Sequence, residues 1–164
     1  MRPDWRRQAV HVPEGDRPSP AAEHTLTDSG RDVVFRLPAK RAAASLARER
    51  IGHVMQRWAL DGELRDNVLL VASELTANAV EHGTSDGGNV LVAMTLGATL
   101  RVEVTDGDFL RKPALSVPGM HADRGRGLLL TDALTTAWGV TLYPPLGKVV
   151  WADFALPEST GRIP

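Results

Sequence analysis

Glu74-Leu75-Thr76-Ala77-Asn78-Ala79-Val80-Glu81-His82-Gly83 is the stretch on which the fold turns. It sets a carboxylate and an amide four residues apart in a segment with helical periodicity. Residues i and i+4 share one helix face, so Glu74 and Asn78 aim at the same small volume. Leu64, Val68, Val71, Ala72, Leu75 and Ala79 recur at spacings of three and four and form the buried stripe of this helix. The pattern predicts a helix over residues 62–82, ended by Gly83. On a helical wheel Glu74 and Asn78 fall at the border of the stripe. A potential base and a potential metal ligand therefore face the rim of a core. His82 lies within the stripe and reads as a core or capping histidine ahead of a catalytic one.

Upstream, Asp32 to Leu37 reads as a short strand ended by Pro38, and a helix is expected from about 39 to 59, with Ala42, Leu46, Ile51, Val54 and Trp58 in the core. Downstream, residues 84–88 form a polar, Gly-rich turn, and strands are predicted over 89–96 and 99–105. In the second strand Leu100, Val102 and Val104 alternate with Arg101, Glu103 and Thr105, as on a half-buried strand. Residues 106–124 show no periodicity, and a loop of that length inside a domain tends to be a functional lid. A helix over 125–136 and strands over 138–143 and 148–156 follow. Residues 1–31 read as a flexible tail, 32–156 as one domain and 157–164 as a second tail. The order predicts an α/β (α+β) two-layer sandwich. Its single sheet is mixed and mostly antiparallel, with helices on one face.

Composition narrows the partners. The 164 residues suit one domain, and 43% hydrophobic with 24% charged residues is ordinary for a globular chain. A net charge of -1 gives no electrostatic case for nucleic acid or an anionic membrane. There is no cysteine, so disulfides and thiolate chemistry are excluded. The five histidines, at 11, 24, 53, 82 and 121, lack metal-ligand spacing. With no apolar run of membrane length and no signal peptide pattern, a cytoplasmic location is expected.

Two further segments carry chemistry. In Val104-Thr105-Asp106-Gly107-Asp108 an acidic residue ends a strand beside a glycine. Asp106 can accept a hydrogen bond from a ligand amine, and Gly107 lets a ligand approach the backbone; an ordinary Asp-Gly turn has the same sequence. In Asp123-Arg124-Gly125-Arg126-Gly127-Leu128-Leu129-Leu130 two glycines stand at the mouth of a helix. Unpaired amides and the helix dipole there make an anion site. A plain loop hinge is the alternative. Arg124 and Arg126 could reach a phosphate or be solvated. A dinucleotide-binding fingerprint is not expected, because no strand directly precedes the glycines and a third glycine is missing.

In this order and spacing the three segments resemble the N, G1 and G2 boxes of the histidine-kinase-like (GHKL, Bergerat-fold) ATPases. Within them the chain looks most like the anti-sigma-factor serine kinases and their actinobacterial relatives. Trp138-Gly139-Val140 and Gly147-Lys148-Val149-Val150-Trp151 add to the likeness, which spans about residues 32–156. The resemblance implies ATP and Mg²⁺ as cofactors. It implies Glu74 as the residue that handles the attacking hydroxyl and Asn78 as the Mg²⁺ ligand. Asp106, with Gly107 beside it, would read the adenine amine. Gly125, Arg126, Gly127 and Leu128 would line the phosphates. It implies a serine/threonine protein kinase in a partner switch, contacting a sigma factor and a STAS-domain anti-anti-sigma factor, with a homodimer possible. A nucleotide-sensing binding module without catalysis is the alternative. Retention of Glu74 and Asn78 argues against a decayed scaffold. The chain departs from the family at Gly107-Asp108-Phe109-Leu110, where a second G1 glycine is missing. It departs again at Val149 and Val150, where the closing strand commonly has a threonine.

Overall fold

Alternation decides the inner face of the sheet. In the computed structural model, which describes residues 30–82, 88–106, 126–143 and 147–158 (His82 and Arg126 by backbone alone), β1 (Asp32–Pro38) buries Val33, Phe35 and Leu37. Beside it β2 (Asn89–Leu96) buries Val90, Val92 and Met94, and β3 (Thr99–Asp106) buries Leu100, Val102 and Val104. The row continues on β5 (Gly147–Ala155) with Val150, Ala152 and Phe154. β4 (Ala137–Tyr143) closes the far edge. The strand order is β1-β2-β3-β5-β4, and every pairing among these strands is antiparallel. Period-2 alternation puts one side chain in two against the helices.

Among the described residues three helices, α1 (Ala43–Arg57), α2 (Gly62–His82) and α3 (Arg126–Leu134), complete an α/β sandwich. The stripe foreseen on α2 is the one observed: Val68, Val71, Ala72, Leu75 and Ala79 are buried, and Leu64 is half-buried against the core. Burying such a stripe is the main force holding the layer, at about 25 cal/mol per Å² of apolar surface.

At α1 the structure corrects the sequence. Residues 39–42 do not begin the helix. Lys40 N donates to Pro38 O at 2.7 Å and Ala43 N to Lys40 O at 2.8 Å, so the chain turns tightly before the helix starts. The buried face is consequently Ala43, Ala47, Ile51, Val54 and Met55, while Ala42 is exposed and Leu46 and Trp58 pack only partly against the core. The indole N–H of Trp58 donates to Gly30 O at 2.7 Å, which fixes the approach to β1. The end of α1 is a Schellman closure: Leu60 N reaches back to Met55 O and Ala59 N to Gln56 O. Ala59 adopts the left-handed conformation that motif needs, with φ of 53°, where glycine is the usual residue. The strain in an alanine is about 1 kcal/mol.

The tail expected over 1–31 lies, apart from Gly30 and Arg31, outside the described residues, as does the expected lid beyond Asp106. Of the tail expected over 157–164, Pro157 and Glu158 are described. Among the described residues no helix is long and apolar enough to cross a membrane.

Candidate functional site

Within α2 the short polar side chains are satisfied by their own helix. Ser73 Oγ donates to Leu69 O at 2.6 Å and Thr76 Oγ1 to Ala72 O at 2.7 Å. Glu74 and Asn78 differ. Both are half-buried at the edge of the stripe, beside the start of α3. A Cβ built on Gly127 would lie 2.8 Å from Glu74 Oε2, 3.3 Å from Glu74 Cβ and 3.4 Å from Asn78 Nδ2. The backbone of α3's first turn therefore lies directly against the Glu–Asn pair, and glycine is what permits it. Thr131 Oγ1, fully buried, donates to Gly127 O at 2.8 Å and holds that turn together. The arrangement joins a carboxylate, an amide and a helix N-terminus, and the last favours anions.

Asp106 closes the buried row of β3 that begins at Leu100, so its carboxylate faces the helices. Opposite it in register on β5 is Lys148, whose Nζ is 3.5 Å from Asp106 Oδ2. The two side chains are only 5% and 3% exposed, lysine first. Lys148 is the site residue that the sequence reading passed over. Its signal was there: it falls in the same alternation as Val150, Ala152 and Phe154 and so points inward. Among the described residues no group of three His, Cys, Asp or Glu could hold a metal. A cation seated at Asn78 would accordingly take most of its ligands from phosphate and water, as Mg²⁺ commonly does.

The other foreseen positions fare unequally. Gly107 and Gly125 lie outside the described residues, and so does the side chain of Arg126. The side chain of Leu128 is buried in the hydrophobic core, which leaves only its backbone to meet a ligand. His82 is described by its backbone alone.

The profile of the histidine kinase-like ATPase domain matches residues 37–154. The chain belongs to the histidine kinase-like ATPase family. No curated protein shows a significant match. Among solved structures, the RsbU and RsbW domains of Rv1364c from Mycobacterium tuberculosis align with a TM-score of 0.59 and 21% identity, covering 76% of this chain and 32% of that one. The histidine kinase domain of the Erythrobacter litoralis EL346 blue-light activated histidine kinase aligns with a TM-score of 0.45 and 23% identity, covering 73% and 62%. The chain thus spans about a third of the first neighbour and less than two thirds of the second. The antiparallel sheet with its helices is the fold of this family, and membership implies ATP as the nucleotide. The residues present fit it: an acceptor for an amine at Asp106, an amide at Asn78 for a hard cation, and a cradle at Gly127 that any Cβ would fill.

Proposed function

We propose that this histidine kinase-like ATPase is a serine/threonine protein kinase of the partner-switch kind. In this reading it binds a sigma factor in one state and phosphorylates a STAS-domain antagonist in another. The observation that carries the proposal is the contact of Gly127 with both Glu74 and Asn78, because phosphoryl transfer asks chiefly for positioning and charge neutralisation. Bound Mg·ATP would supply the phosphoryl group and a cation that neutralises its charge. The chain's own groups divide the remaining work. Asp106 accepts the exocyclic amine of adenine. Asn78 offers its amide oxygen to the cation. The amides at the start of α3, with Gly125 and Arg126 beside them, receive the phosphates. Glu74 orients the incoming serine or threonine hydroxyl and accepts its proton. The motif set resembles the anti-sigma-factor kinases, and a neighbour carrying an RsbW domain shares the fold, which supports the partner-switch role. A cytoplasmic location belongs to the same reading.

The test is Glu74→Gln. The variant should bind Mg·ATP nearly as wild type does, yet transfer radiolabelled phosphate to its antagonist about 10²–10⁴-fold more slowly. A second reading, a nucleotide sensor without catalysis, is favoured by the missing second glycine after Asp106. It predicts no transfer from wild type to an antagonist that demonstrably binds, and in that case the kinase assignment falls.

A further inference from the structure

We propose that Lys148 is the positioning residue for base selection: it keeps the Asp106 carboxylate an obligate acceptor, so that the site takes adenine and refuses guanine. The inference rests on the reading of Asp106 as the group that meets the base. Three observations lead to it. The pair is directly opposed in the β3–β5 register, so the contact is set by the sheet rather than by chance side-chain reach. Both side chains are almost wholly withdrawn from solvent, where removing two charges from water tends to cost more than their attraction returns. And the separation is 3.5 Å, longer than a good hydrogen bond, whereas the other described β3–β5 pair, Arg101–Asp153, closes to 2.7 Å. A buried charge pair at the end of a strand is weak evidence of added stability. It fits a carboxylate kept ionised for a ligand.

The chemistry follows from what a carboxyl group can do in each form. Ionised, it only accepts, which matches the adenine amine and opposes the guanine carbonyl at the same place on the ring. Protonated, it gains a donor and can satisfy guanine. Burial by itself favours the neutral acid, and a neighbouring cation favours the anion. Lys148 is a cation within ion-pair distance of Asp106. On α2 the ionisable groups of the C-terminal half are Glu74, Glu81 and His82, two acids and an imidazole. Replacing Lys148 by a neutral residue removes that cation, while burial continues to favour the protonated, unselective form.

The experiment is calorimetric titration of the full chain with Mg·ATP and with Mg·GTP, at pH 6 and at pH 8, for wild type, Lys148→Met and Lys148→Arg. Wild type should prefer ATP equally at both pH values. Lys148→Met should lose about tenfold or more of that preference, and lose more at pH 6 than at pH 8. Lys148→Arg, which restores the charge, should recover it. An unchanged ATP-to-GTP ratio in Lys148→Met at both pH values overturns the role of Lys148 and leaves the ATP site standing. Failure of wild type to bind either nucleotide overturns the ATP reading itself, and the inference with it. Should Lys148→Met not fold, the Asp106 carboxyl carbon resonance of nucleotide-free wild type decides the matter. Ionisation maintained down to pH 5 upholds the proposal, and a neutral carboxyl at pH 6 overturns it.

Discussion

Two ion pairs bridge the same two strands, five residues apart along β3, and they face opposite sides of the sheet. On the outer face Arg101 Nε and Nη2 donate to Asp153 Oδ1 and Oδ2, each at 2.7 Å, and the guanidinium carbon sits 4.5 Å from the centre of the Trp151 ring. That hydrogen bonding raises the Arg101 pKa above its usual value, with desolvation opposing. Trp151 in turn lies over Gly139, where a Cβ would come within 2.6 Å of the indole. Everything about this pair is closed: bidentate geometry, a stacked ring, and exposures of 31% and 14% that leave it partly wet. The inner pair, Asp106 with Lys148, is dry, and its ion-pair contact is longer, at 3.5 Å. The charges are also reversed, with the cation on β3 outside and on β5 inside. The difference teaches that directly opposed pairs on the same two strands can serve different ends. One laces the sheet, and the other, in the proposed reading, holds a charge for a ligand to meet.

The sharpest way to break the comparison is to remove charge from the inner pair in two steps. Asp106→Leu strands a buried ammonium and should lower unfolding free energy by about 3–5 kcal/mol in denaturant titrations, with loss of ATP binding. Adding Lys148→Met should recover most of that stability and none of the binding. A double variant that bound ATP as wild type does would show that the inner pair merely laces the sheet.

The outer pair should give a smaller effect of the opposite kind. Arg101→Met is expected to cost about 1 kcal/mol, discounted for the solvent that reaches the pair, and to leave Mg·ATP affinity unchanged. Because the Arg101 pKa is raised, this contribution is complete below the ordinary arginine range and fades only as pH climbs through the raised value. The cost should therefore be flat across neutral and mildly alkaline pH. A fall in ATP affinity in Arg101→Met would mean that β3 couples the two faces, and the division of labour would be lost.

Salt should produce the smallest change. In double-mutant cycles at 1 M NaCl, the Arg101–Asp153 coupling should weaken by about 0.3–0.5 kcal/mol while the Asp106–Lys148 coupling holds, since screening reaches only the wetter pair. Equal salt sensitivity would argue that the inner pair is open to solvent.

Much of this was legible in the residues, and the exceptions have physical reasons. The α2 stripe was readable because its apolar positions keep the helical period without interruption, and that period also fixed Glu74 and Asn78 at its edge. The start of α1 was not, because Ala39 to Ala42 contains good helix formers that tertiary context folds into turns, moving the buried face to Ala43 and Ala47. The closure of α1 at Arg57 hid behind Ala59, a residue type that seldom signals a left-handed cap. Asp106 could be suspected from its place at a strand end. Lys148 could not be suspected by type, since lysine in a strand ordinarily faces water, and only its phase relative to Val150 and Phe154 betrays it. The contact of Gly127 with Glu74 joins segments remote in the chain, and no local pattern encodes it.

That remoteness bears on the order in which the molecule assembles. The β2–β3 hairpin, whose last opposed pair is Leu96 with Leu100, closes across residues 97 to 99, whereas the pairing of Asp106 with Lys148 must close over residues 107 to 147. The conformational entropy lost in joining chain ends grows with the length between them, so the hairpin is the inexpensive contact and the β3–β5 seam the demanding one. Both Asp106 and Lys148 belong to that seam, and the Glu74–Gly127 contact spans a still longer stretch of chain. A nucleotide that needs both can bind only a chain that has finished folding. Its binding free energy then adds directly to the stability of the completed state.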